Sequence, residues 1–145
     1  MSLPVSAERT IAASEREARR VIRRISRARV WQYDYLMLRE IGLGLARQAA
    51  TLNGKSGLFV LDVGCKYMPY RRLFEGPSSR YVGLDLRAYR GVEVRGDALH
   101  LPFGSDSFDL LLCTQAFHVL RDFRGALSEF VRVTRRGGRI LLTTV

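Results

Sequence analysis

Lysine is nearly missing from this chain. Lys55 and Lys66 are the only lysines among 24 basic residues, so the net charge of +10 rests on arginine. Cysteine is scarce too. Cys65 and Cys113 stand far apart with no C-x-x-C spacing, which argues against a disulfide framework or a zinc finger and for a reducing, cytoplasmic setting. Two histidines, His100 and His118, leave little for metal ligation, and no metal site is expected. No apolar run approaches the ~20 residues that cross a bilayer, and no signal-peptide core is present. Repeats and low-complexity tracts are absent as well. What is there, 145 residues with 47% hydrophobic content, suits a soluble globular protein.

Residues 1–55 read as a helical N-terminal segment. Ser14-Glu-Arg-Glu17 matches a capping box, and Ala18, Val21, Ile22, Ile25 and Ala28 follow at helical spacing. Arg16, Arg19, Arg20, Arg23, Arg24, Arg27 and Arg29 take most of the remaining surface. Such a basic amphipathic helix is either a solvated face or a contact for an anionic substrate or surface. Specific nucleic-acid recognition is not expected, since no helix-turn-helix, zinc or RNA-binding signature accompanies it. A second helix is expected over 34–52, with Leu38, Ile41, Leu45 and Leu52 inward and Asn53-Gly54 as its stop.

The remainder, 56–145, changes character. Residues 58–63 form an apolar, β-branched run interrupted only by Asp62, the pattern of a strand buried on both faces. Gly64 then turns the chain and leaves Asp62 near the strand's carboxyl end. Residues 80–85 form a second strand ending in Asp85, about twenty residues beyond that turn, where an acid can accept hydrogen bonds from ribose hydroxyls. A third strand, 92–97, ends in Asp97, and a fourth covers 110–113. Phe123, Ala126, Leu127, Phe130 and Val131 mark an amphipathic helix stopped by Gly137-Gly138, and 140–145 closes the set as a fifth strand. Asp106 and Asp109 read as structural. Right-handed crossovers arrange these strands in the order 3-2-1-4-5.

Taken together, residues 58–145 resemble the class I S-adenosylmethionine-dependent methyltransferases, specifically the type 11 group. The resemblance implies an α/β, Rossmann-like sheet that lacks the last two strands of complete members, and S-adenosylmethionine as cofactor. It implies methyl transfer to an unidentified small-molecule or saccharide acceptor; the alternative is a catalytically inactive binding or regulatory module. Asp62, Gly64 and Cys65 would shape the turn under the methionine and ribose. Asp85 would hold the ribose hydroxyls, Leu86 would pack beside the adenine, and Asp97 would accept from its amino group. Ala98 and Leu99 would line that face, and Gln115 would border the methionine end. No catalytic residue is assigned, because the family's Glu-His is replaced by Phe117-His118-Val119, with the histidine shifted by one. A dinucleotide oxidoreductase is disfavoured, since residues 64–69 supply no glycine-lined pyrophosphate cradle. Lys66 and Met68 stand where the family carries glycines. The fifth strand would leave an open sheet edge, so a second copy or a partner chain is expected there.

Overall fold

The computed structural model describes residues 10, 12–13, 15–17, 19–20, 33–52, 57–76 and 78–144. They fall into two compact units, Met1–Ser56 with Pro69–Glu75, and Gly57–Met68 with Gly76–Val145.

In the first unit, residues 10, 12, 13, 15–17, 19 and 20 are helical. Helix is thus already present ahead of the start expected at Ser14, which itself lies outside the described residues, as do Arg23, Arg24, Arg27 and Arg29. Glu15 pairs with Arg47 at 3.3 Å, and Glu17 meets both Arg20 (3.6 Å) and Arg72 (3.8 Å). Arg16, Arg19 and Arg20 remain exposed. Helix α1 (Tyr33–Leu52) runs unbroken through Gly42 and Gly44, burying Leu45, Ala46, Ala49 and Leu52. A single turn, α2 (Arg71–Phe74), follows in this unit.

The second unit is a five-stranded parallel sheet: β1 (Phe59–Val63), β2 (Arg80–Asp85), β3 (Val94–Arg95), β4 (Phe108–Thr114) and β5 (Thr134–Thr143), in the order β3-β2-β1-β4-β5. The apolar runs of β1 and β4 sit at its centre because a strand buried on both faces can have no polar side. Helix α3 (Phe123–Val133) starts at Asp122, whose carboxylate accepts from Gly125 N at 2.9 Å. Its Ala126, Phe130 and Val133 lie on one helical stripe and close over Leu61, Val63, Leu84, Leu111 and Cys113. Burying each large side chain here contributes roughly 1.5–3 kcal/mol. Arg132 reaches back from this helix to Glu129 and to the carbonyls of Leu101 and Phe103, holding the Glu129 carboxyl down to about 2 and fixing the loop before β4.

Two elements differ from expectation. The third strand is only two residues long: Glu93 N–H and Gly96 N–H reach Gly83 O and Asp85 O at its two ends, and Asp97 then turns away into a local hydrogen bond. Helix α3 ends at Val133, not at Gly137-Gly138. Those glycines belong to β5, where between the pairs Phe108–Thr134 and Leu110–Arg139 one residue of β4 faces four of β5 and the extra length bulges out with Gly137 at φ 77°. Asp109, read as structural, ties β4 to both neighbours, accepting from Phe59 N at 2.9 Å and pairing with Arg135 at 3.0 Å.

Candidate functional site

In the order β3-β2-β1-β4-β5 the connections change direction between β1 and β4, and ligands of parallel sheets bind outside the carboxyl ends at such a point. A cleft of about 270 Å³ opens there, lined by residues of β1, β2 and β4 and the turns after them. A larger cleft, about 460 Å³, lies at the amino ends of β4 and β5. That is the wrong end of the sheet for a ligand, and its Arg132 and Arg135 are already bonded to Glu129 and Asp109.

Six of the nine residues expected at the site line the smaller cleft: Gly64, Asp85, Leu86, Asp97, Ala98 and Gln115. Gly64 sits at φ 69° with its N–H bonded to Leu84 O at 2.8 Å, and a Cβ there would lie 2.4 Å from that of Ala116. The glycine therefore leaves bare backbone at the floor of the cleft. Asp85 ends β2 and accepts from two backbone donors, Lys66 N (2.9 Å) and Arg87 N (3.0 Å). Its carboxylate thus locks the turn after β1 to the turn after β2, a structural task the sequence does not announce. Asp97 accepts from Leu99 N at 3.0 Å. Gln115 follows β4 at φ 56°.

Three expected residues fall outside the lining. Asp62 shares a face with Val60 and Tyr81 through the strand register and points into the protein, where Tyr81 Oη donates to it at 2.6 Å. Cys65 turns beneath Gly83 and is buried, and burial pushes its thiol up to about 12. Leu99 is drawn by the Asp97 turn onto the core. His118 is exposed on the 3₁₀ turn Phe117–Val119 and lies outside the cleft. Residues not anticipated as lining include Arg87 and Tyr89 from the loop after β2, and Val119 and Leu120 from that 3₁₀ turn. Neither segment carries a periodic pattern that could have placed them.

Asp62 carries a consequence of its own. Burial raises its pKa from 3.8 to about 7, against the Tyr81 hydrogen bond and with help from the Asp85 and Glu93 carboxylates, and its Oδ1 has no hydrogen-bond partner among the described residues. A carboxyl raised in this way stays protonated in the folded protein after the unfolded chain has lost the proton. Its stabilisation is complete below 3.8 and is lost as pH rises through about 7. Asp62→Asn is expected to flatten the fall in stability between pH 4 and 7, a fall of at most about 1.4 kcal/mol per pH unit from this group. Denaturant midpoints at pH 4.5 and 7.5 measure it, and parallel slopes in both proteins would remove the assignment.

Lys66 is the departure at this site. It sits at φ 47°, the left-handed region, with Met68 beside it at φ 48°, and its ammonium lies 5.5 Å over the Tyr67 ring. Tyr67 in turn meets Tyr89 edge-on at 5.2 Å.

Comparison with known proteins decides the family. The model of a methyltransferase domain, type 11, matches residues 61–142. The chain belongs to this methyltransferase family. A phthiotriol/phenolphthiotriol dimycocerosates methyltransferase of Mycobacterium ulcerans is 36% identical over 117 residues, covering 70% of this chain and 42% of its own. The malonyl-[acyl-carrier protein] O-methyltransferase of Yersinia pestis is 35% identical over 100 residues, covering 62% and 38%. The structure of YcgJ from Bacillus subtilis is 32% identical with a TM-score of 0.55, over 68% of this chain and 48% of that one. The chain spans less than half the length of each of these proteins. The cofactor of the family is S-adenosylmethionine. Among the described residues, no helix is long and apolar enough to cross a membrane.

Proposed function

We propose that the chain binds S-adenosylmethionine in the cleft at the carboxyl ends of β1, β2 and β4 and serves methyl transfer to a small-molecule acceptor. The observation that carries this reading is Asp85, an acid at the end of β2 facing a glycine-floored turn. The residues present fit the group. The bare backbone at Gly64 admits a close neighbour, Asp85 keeps lone pairs for ribose hydroxyls, and Leu86, Asp97 and Ala98 offer the adenine an apolar wall with one acceptor. When bound, S-adenosylmethionine supplies a methyl group made electrophilic by its sulfonium. The protein's part is to hold and align, which can supply much of the rate. Calorimetric titration with S-adenosylhomocysteine and with NAD tests the reading. Heat on S-adenosylhomocysteine alone supports it, and binding of NAD instead would return the oxidoreductase.

Lys66 and Met68 favour a second reading, a domain that binds the cofactor without turnover. A non-glycine residue in the left-handed region costs roughly 1–2 kcal/mol. An ammonium near a sulfonium adds repulsion of about 1 kcal/mol in a well-solvated site. Lys66→Gly is expected to tighten S-adenosylmethionine about fivefold relative to S-adenosylhomocysteine. An unchanged ratio would show that the ammonium stays over Tyr67 and leaves the cofactor untouched.

The open edge of β5 supports a partner strand. Among the described residues β5 pairs only with β4, and an unprotected edge is a template for another chain. The chain expressed as given is expected to self-associate. Sedimentation showing a monomer at high concentration would oppose this.

A further inference from the structure

The cleft, at about 270 Å³, falls just below the roughly 300–1,000 Å³ of ordinary ligand pockets, so a bound cofactor leaves an acceptor only its mouth. Two surfaces meet at that mouth. Leu86 and Val119 line the cleft yet are 62% and 68% exposed, and with Ala116 and Leu120 they make an apolar wall. Lone apolar residues on a surface mean little, but several around one opening mark a place to be covered. Lys66 and Arg87 line the same opening, and among the described residues neither meets a carboxylate side chain through its charged end. Among the described residues Lys66 uses its ammonium only over Tyr67, and Arg87 bonds through its backbone, its N–H to Asp85 and its carbonyl to Tyr89 N–H, and not through its guanidinium.

Of the groups that could take a proton from an acceptor, the two carboxylates are given to backbone N–H groups and, in the cofactor reading, to ribose and adenine, and Tyr89 stands edge-on against Tyr67. Asp85 receives two backbone N–H groups and Asp97 one. Burial pushes the Cys113 thiol up to about 12, so it is protonated at neutral pH. No histidine lines the cleft, His118 being exposed outside it. An alcohol or carbon acid needs a base here. A carboxylate, ionised above about pH 4–5, does not.

We infer that the acceptor is an apolar carboxylate, methylated on oxygen to its ester, with its charge held by Lys66 and Arg87 and its body laid on Leu86, Val119 and Leu120. The inference rests on the cofactor reading above and names the acceptor class for the same cleft. In the step, one carboxylate oxygen forms a bond to the methyl carbon while the carbon–sulfur bond breaks and its electron pair stays on sulfur. The products are a neutral ester and a neutral thioether, and no proton moves. The same ammonium that disfavours a sulfonium then has a use, since the arriving carboxylate offsets it.

The test uses the full chain. S-adenosylhomocysteine is titrated first, and then octanoate or 1-octanol is titrated into the saturated protein. Octanoate is expected to bind at least tenfold more tightly than 1-octanol, and Arg87→Gln to weaken octanoate at least fivefold while moving S-adenosylhomocysteine less than twofold. With S-adenosylmethionine, methyl octanoate is expected at a rate flat from pH 6 to 9, because no proton is removed. Equal binding of the two probes, no octanoate binding to the saturated protein, or a rate climbing tenfold per pH unit overturns the acceptor class and leaves the cofactor reading in place. Failure of S-adenosylhomocysteine to bind overturns both.

Discussion

Asp85→Ala is expected to weaken S-adenosylhomocysteine binding by roughly 1.5–3 kcal/mol, about ten- to hundredfold in Kd. The magnitude is that of hydrogen bonds to a charged acceptor. Asp85 does two things, however. It receives Lys66 N and Arg87 N, so its loss also frees the turn that forms the cleft's floor. A weakened Kd alone therefore does not separate ribose contact from a loosened turn. Comparing S-adenosylhomocysteine with an analogue lacking both ribose hydroxyls does. If Asp85 holds those hydroxyls, the analogue binds the wild type poorly, while the alanine variant treats both ligands alike. A wild-type protein indifferent to the hydroxyls would move Asp85 from ligand contact to turn-holding.

Asp85 also shows how far the sequence reaches. An acid closing a short apolar strand, about twenty residues after a glycine turn, places itself at the ligand end of a parallel sheet. The strand order follows from handedness alone, and the structure has it. What fails is the side on which a residue points. Asp62 is adjacent to the cleft in sequence, but strand alternation puts it on the face of Val60 and Tyr81, and one residue's displacement reverses the face. Gly137-Gly138 fails for another reason. A glycine pair ends helices and also permits bulges, and only the pairing of β5 with β4 chooses between them. Arg87, Tyr89, Val119 and Leu120 reach the cleft from a loop and a 3₁₀ turn, where no periodicity exists to read. Of these, Arg87, Val119 and Leu120 carry part of the proposed choice of acceptor. The cleft's frame is thus legible in sequence order, and of its mouth only Lys66 and Leu86 are.

Gly64→Ala tests that frame at its tightest point. Two penalties act on the added methyl group. At φ 69° an L-residue is in the left-handed region, at roughly 1–2 kcal/mol, and the Cβ lies 2.4 Å from that of Ala116, well inside contact distance. Overpacking of this kind costs about 1–3 kcal/mol once neighbours shift. The sum, ~2–5 kcal/mol, corresponds to a Tm lowered by roughly 6–15 °C in a protein of this size. Cofactor affinity should fall with it, because Ala116 and Gln115 cannot keep their places on the cleft wall. Ala116→Gly separates the two penalties. It removes the clash and leaves the backbone strain, so the double variant is expected to recover part of the loss, with a coupling energy of about 1 kcal/mol or more. Strictly additive effects would mean that Ala116 simply moves aside, and that the conformation of Gly64 accounts for the whole cost.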